Sequence, residues 1–390
     1  MKALHVMNLT HDLALANGTD RFKAPEVGVV ITHDLSLLPL WYAHTGDVII
    51  SDLKLSEAFN PLHINIIVKA LRDISTADFQ EIIPWGWDAV LLRELKMNGL
   101  EAKRLPNSET IEGIRNLSHR KLSTLGMAYM REHLNISLNI PDPAEMCTNL
   151  QDIKNLIQKN KEVVMKSPWS SSGRGLFWCN KNLTPSISGW CKRILEKQGS
   201  VMIEEAMEKM QDFALEYTCQ NGVVEFKGYS LFYTEGKGAY QGNALMTNEA
   251  IEDFLSKWIV KDELLHLRET TKQFVEKEIA PTYNGTLGVD MFMYTDCEGQ
   301  ISLDPMVEIN IRMTMGRLSR QFYDNHCVEG VKGSFNIEHL PPGEILAAHE
   351  KDLIAYPLVL ENNKIKSGYV SLCPISESTT YRAKVLIDEV

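Results

Sequence analysis

Residues 163–177 read VVMKSPWSSSGRGLF. A β-branched run delivers Lys166 to the end of a strand, and Ser170, Ser171, Ser172, Gly173, Arg174 and Gly175 follow as a small-residue loop before the apolar pattern resumes. Glycine lets backbone N–H groups turn toward an anion with no Cβ in the way, serine hydroxyls add donors, and a lysine supplies a point charge. The stretch therefore has the makings of a hairpin that covers phosphate, although an ordinary turn accounts for a Ser/Gly loop equally well. It is neither a Walker loop, which needs GxxxxGK[ST] ahead of a helix, nor a GxGxxG dinucleotide turn.

A second informative stretch lies downstream, GVDMFMYTDCEGQISLDPMVEINIR at 288–312. Two strands joined at the turn-forming DCEG carry Asp290 on the first and Glu308 and Asn310 on the second. Side chains alternate with period two, so Glu308 and Asn310 share a face, while Val307, Ile309 and Ile311 take the other. Two oxygen ligands beside a neighbouring carboxylate suit a hard cation that keeps some waters and bridges nucleotide phosphates, as Mg2+ does. A solvated strand face is the plainer alternative, and the apolar alternate positions argue against it.

Together these segments resemble the ATP-grasp superfamily over roughly Ser118 to Arg320. The resemblance implies that Lys121, in SHRKLST, and Lys166 contact nucleotide phosphates, with Arg120 beside Lys121 as a rival. It also implies that Ser171, Ser172, Gly173, Arg174 and Gly175 cover the phosphates. The strand VMIEEAM at 201–207 then matches the hinge whose backbone pairs with adenine, at Glu204, Glu205, Ala206 and Met207, with Ala206 standing where a bulkier residue is common. Glu216, in FALEY, matches a carboxylate near the ribose or the metal. Asp290, Glu308 and Asn310 become the metal ligands, with Asp304 a competing carboxylate, and Arg312 becomes the contact for a phosphate or acyl phosphate. The implied cofactors are ATP and Mg2+, with Mn2+ as a substitute. The implied reaction is a ligase that activates a carboxylate for an amine or similar nucleophile. The alternatives are a kinase of the same fold acting on a hydroxyl and a nucleotide-binding protein without turnover. Arg317 and Arg320 add a cationic cluster that could serve either chemistry.

The rest of the chain is consistent with that frame. It is long enough, at 390 residues, for two or three structural units, and 44% hydrophobic against 23% charged residues is the balance of a folded soluble protein. A net charge of −11 argues against a general binder of nucleic-acid backbone. Seven scattered cysteines form no CxxC pair, so reduced thiols are expected. No cleavage pattern opens the chain and no apolar run approaches membrane length, which leads to the expectation of a cytoplasmic protein with small-molecule partners, no nucleic acid, no membrane and a homodimer allowed.

The expected fold class is α/β (α+β), with an N-terminal α/β domain at 1–116, a small nucleotide lobe with the phosphate loop at 117–203, a large lobe with the metal site at 204–330 and a packed extension at 331–390. Ser118 is expected to cap a helix through Leu134, and one long helical region to run from Ile251 to Ile279. His11, Asp12, Trp85 and Trp87 are N-terminal candidates, weighed against capping and core packing.

Overall fold

The computed structural model describes residues 2–55, 59–75, 77–160, 162–170, 175–180, 182–236 and 238–388. Its strands form three sheets. The first is parallel: β1 (Ala3–Val6), β2 (Val48–Ile50), β3 (Ile67–Lys69) and β4 (Glu81–Pro84) in the order β3-β2-β1-β4. Of the apolar runs near the start, Val27 to Ile31 is helical, within Glu26–Asp34. The helix Ala89–Met97 buries Leu91, Leu92 and Leu95 against Leu4 and Ile82, and Asp88 caps it by accepting from the N–H groups of Val90 and Leu91.

The second sheet holds β5 (Glu145–Cys147), β6 (Val163–Lys166), β7 (Leu176–Cys179) and β8 (Val201–Glu205), antiparallel in the order β5-β8-β6-β7. Ile153 and Ile157 of one helix and Ile187 and Cys191 of another cover it, packing on Val163, Met165 and Ile203.

The third sheet has nine strands: β9 (Glu208–Gln220), β10 (Val223–Glu235), β11 (Ala239–Leu245), β12 (Gly285–Thr295), β13 (Ile301–Asn310), β14 (Gly333–His339), β15 (Val359–Glu361), β16 (Lys364–Ser371) and β17 (Tyr381–Ile387). Their order is β13-β12-β9-β10-β11-β14-β17-β16-β15. The sheet runs through position 330 without interruption, because β11 pairs with β14, Asn243 opposite Phe335. The segment 331–390 therefore completes this sheet.

One face of the third sheet makes the main core. Phe213, Leu215 and Tyr217 of β9 and Val289 and Met291 of β12 pack with Leu122, Met130, Leu267 and Phe274 from the helices Lys121–His133 and Lys261–Glu278. Each such side chain stabilises the fold by about 1.5–3 kcal/mol. The alternation that sends these residues inward sends Glu216, Asp290, Glu308 and Asn310 to the opposite face.

Two local expectations change. Ser118 ends the preceding helix, Ser108–Leu117, and its hydroxyl donates back to the Ile114 carbonyl. The next helix starts at Lys121, whose N–H donates to His119 Nδ1 at 2.9 Å. The region from Ile251 to Ile279 is two helices, Asn248–Leu255 and Lys261–Glu278, because Thr247 caps the first and the chain turns between Ser256 and Val260. Among the described residues no helix is long and apolar enough to cross a membrane.

Candidate functional site

Lys166 ends β6 almost wholly buried, and its ammonium pairs with Glu204 on the adjacent strand β8. Beyond it the chain turns tightly: Ser167 N–H donates to the Gly175 carbonyl at 2.9 Å, and Gly175 adopts φ +80°, with no room for a Cβ between Ser167 and Ser170. Ser171, Ser172, Gly173 and Arg174 lie outside the described residues.

The first cation of the site is Arg120. Its Nε donates to the Ser167 carbonyl at 3.1 Å, its Nη2 donates to Ser170 Oγ at 3.0 Å, and Nη2 stands 2.8 Å from Glu308 Oε1. One buried guanidinium thus ties the turn after β6 to β13. Lys121 is exposed and lines a separate surface groove with Asn116, Leu125 and Glu278. It is not among the residues that line the cleft beside Arg120 and Lys166.

Between the second and third sheets is a narrow cleft with about 20 Å³ of free space, walled by Met202, Met207 and Met306 beside Arg120, Lys166 and Glu204. Methionine is soft and polarisable, and a methionine-walled slot suits a flat aromatic ring. Of the four hinge residues, Glu204 and Met207 line this cleft, Glu205 is exposed, and Ala206 N–H donates to the Glu162 carbonyl at 3.1 Å.

From the cleft the polar face of the third sheet leads away along β13. Asp290 is opposite Glu308 in the pairing of β12 with β13, and Gly288 is opposite both Asn310 and Glu216. Asn310 Nδ2 donates to Asp290 Oδ2 at 3.0 Å. Burial, with Glu308 nearby, pushes the Asp290 carboxyl up to about 7, against the pull of Arg312 and the Asn310 bond. Burial and then Glu204 push Asp304 up to about 7, opposed by Lys166. Asp304 also lines the cleft and accepts from Met306 N–H, which puts it at the hinge end, away from Asn310. Glu216 stands at the opposite end. Burial raises it to about 8, although Thr314 donates its hydroxyl to both carboxylate oxygens at 2.9 Å.

Burial leads all three shifts, with a neighbouring carboxylate second at Asp290 and Asp304, and a divalent cation beside Asp290 and Glu308 would oppose the rise at Asp290. Among the described residues no group of three or more His, Cys, Asp or Glu is gathered for a metal. The set at hand is the two carboxylates Asp290 and Glu308 with the Asn310 amide. That set fits Mg2+, which takes its remaining ligands from water and phosphate, better than a metal needing a full protein cage.

Arg312 lies just past the end of β13. Its Nε donates to Asp12 Oδ1 at 2.9 Å, its Nη1 to the Met313 carbonyl at 3.0 Å and its Nη2 to Asn310 Oδ1 at 2.9 Å. The short helix His11–Asn17 that follows β1 thereby reaches the site. Trp85 is core, joined to it through its carbonyl, which accepts from Met313 N–H at 2.8 Å, and Trp87 packs half-buried against the hydrophobic core. Arg317 faces Glu216, whereas Arg320 is turned away, paired with Asp324 and bonded to the Met246 carbonyl. Thr314 was not visible as a site residue from sequence. Its signal was a cap position, since it accepts from Arg317 N–H at the start of the helix Met315–His326.

No protein-family model and no curated protein matches the sequence. By structure the chain is similar to N5-carboxyaminoimidazole synthetase from Staphylococcus aureus complexed with ADP, at 11% identity and TM-score 0.50, covering 100% of this chain and 95% of that one. It is similar to biotin carboxylase from Campylobacter jejuni in complex with β-γ-ATP, at 10% identity and TM-score 0.52, covering 100% and 87%. The biotin carboxylase domain of Hydrogenobacter thermophilus 2-oxoglutarate carboxylase, with MgADP, ADP and bicarbonate, matches at 11% identity and TM-score 0.50 over 99% and 86%. At these identities the likeness shows the fold alone, which is the ATP-grasp fold of these enzymes with an N-terminal α/β domain at its start.

Proposed function

We propose that this chain is an ATP- and Mg2+-dependent ligase that activates a carboxylate as an acyl phosphate for attack by an amine or similar nucleophile. The observation that carries the reading is Arg312. It is anchored by three hydrogen bonds at the end of the acidic face, and among the described residues one N–H on each Nη has no protein partner. A planar fork with two spare donors, beside Asp290 and Asn310, suits an oxygen anion that gains charge during transfer. Nucleotides in the solved relatives of this fold support ATP as the phosphoryl donor.

In this reading the methionine-walled cleft takes adenine, with the strand end at Glu204, Glu205, Ala206 and Met207 as its hinge. Lys166, Gly175 and the loop residues Ser171, Ser172, Gly173 and Arg174 serve the phosphates, with Arg120 in the place that Lys121 does not reach. Asp290, Glu308 and Asn310 would hold Mg2+, which when bound neutralises the phosphate oxygens. A substrate carboxylate oxygen attacks the γ-phosphorus while the bond to the β,γ-bridging oxygen breaks, and ADP leaves with that electron pair. The amine then attacks the acyl carbon, phosphate departs, and the amine loses its proton. Arg312 holds the transferring group through both steps, and Lys166 offsets charge on the departing ADP.

Hydroxylamine intercepts acyl phosphates as hydroxamates. Incubation of the protein with ATP, Mg2+, hydroxylamine and pools of small carboxylates is expected to release ADP and form a hydroxamate together. A stable phosphorylated alcohol without hydroxamate would replace the ligase with a kinase.

A further inference from the structure

Arg312 is held by more than its own strand. The residue at its Nε, Asp12, is 300 positions away, and among the described residues the Asp12 carboxylate makes no other side-chain hydrogen bond. Asp12 lies in the first turn of the short helix His11–Asn17, which follows β1 at the carboxyl end of the parallel sheet. There β1 has β2 on one side and β4 on the other.

The start of that helix is tied to the segment after β4. Asn8 Nδ2 donates to the Gly86 carbonyl at 2.7 Å and to Asp88 Oδ2 at 3.0 Å. His11, 1% exposed, sets Nδ1 3.3 Å from the same Asp88 oxygen, and its ring fills the space where a Cβ on Gly86 would stand. Burial works against an ionised Asp12, yet Arg312, His11 and Arg120 keep its carboxyl below the usual range. Its charge is therefore present at neutral pH and points at one atom.

We propose that Asp12 is a positioning residue that fixes the plane of the Arg312 guanidinium through Nε, so that the N-terminal domain sets the aim of the phosphoryl-holding fork. The inference rests on the ligase reading above. Met313 and Asn310 bind the two Nη atoms, but both lie within two residues of Arg312 and move with it. Among the described residues Asp12 alone hydrogen-bonds the guanidinium from outside its own strand end. Without that anchor the guanidinium can swing as a rigid plane about the Cδ–Nε bond, and its two spare N–H donors lose their fixed aim relative to the sheet. Misplacement of a reacting group by about 1 Å can cost on the order of 100-fold in rate.

Asp12→Asn keeps the shape and an acceptor oxygen while removing the charge, and Asp12→Glu keeps the charge with a longer reach. The expected result for D12N is a kcat lower by roughly 10- to 100-fold with KM for ATP unchanged, and partial recovery of kcat in D12E. A second readout is independent of turnover: the Arg312 Nε–Hε resonance, assigned by its loss in R312K, is expected to exchange with solvent faster in D12N than in wild type. An active wild type whose D12N variant keeps kcat would overturn this role alone. Loss of kcat together with ATP affinity and unfolding temperature would also overturn it, in favour of simple domain docking. A wild type that releases no ADP with any carboxylate would overturn the ligase reading and this role with it, even if the exchange difference were seen.

Discussion

Arg120 and Lys121 are neighbours of the same charge, and the structure gives them opposite fates. Replacing Arg120 by alanine removes two hydrogen bonds to neutral acceptors, the Ser167 carbonyl and Ser170 Oγ, and one charge-assisted contact to Glu308. At about 1 kcal/mol for each neutral bond and about 1.5–3 kcal/mol for the charged one, the gross loss is roughly 4 kcal/mol. Glu308 is a third exposed, so water recovers part of its solvation, and a net loss of about 2–3 kcal/mol is expected. Urea denaturation followed by fluorescence should show it as an earlier midpoint at unchanged slope. The loop base is also freed, so titration with a fluorescent ATP analogue should give an affinity at least about 10-fold weaker, equal to 1.4 kcal/mol. Lys121→Ala should stay within about 0.5 kcal/mol in stability, as exposed positions do, and keep the affinity. If K121A lost nucleotide binding and R120A kept it, the assignment of the first phosphate cation to Arg120 would be wrong.

Glu216 gives a pH signature. Its folded pKa, about 8, stands above the ordinary 4.5, so its contribution is complete below about pH 4.5 and is lost as pH rises through 8. Glu216→Gln should therefore be the more stable protein at pH 9, by on the order of 2 kcal/mol, with the advantage gone at pH 5; a variant less stable at both pH values would refute this. Gly316 touches Glu216 and Ser230 so closely that no Cβ fits, and Gly316→Ala should lower stability by about 1–3 kcal/mol in the same denaturation assay. Glu308→Gln and Asn310→Asp are expected to alter the Mg2+ dependence of ADP release more than the folding midpoint; normal turnover with ordinary Mg2+ dependence in the double variant would move the ligand role toward Asp304.

Much of this arrangement could be read from local pattern. Alternation along β13 puts Glu308 and Asn310 together in any fold that makes 301–310 a strand, and a β-branched run before a Ser/Gly loop puts Lys166 at a strand end. Pairings between distant strands could not be read that way. Glu204 meets Lys166 only because β8 lies next to β6, and Asp12 meets Arg312 only because the first domain docks on the end of β13. The choice between Arg120 and Lys121 depends on where the helix starts, and a cap at Ser118 starts it too early, because Ser118 closes the helix before. The segment 331–390 resembled an appendage because β14 finds its partner β11 about 90 residues upstream, beyond any periodic signal.

The order of the nine-stranded sheet also bears on how the chain reaches this state. β17 lies between β14 and β16, although it follows both in sequence. During synthesis β14 and β16 thus emerge with their facing edges bare, and neither can close until Tyr381–Ile387 arrives to bridge them. Exposed strand edges invite pairing with other chains, and the closing contacts span long loops, which slows their formation. This half of the sheet is where a slow folding phase and a concentration-dependent loss to aggregates should concentrate.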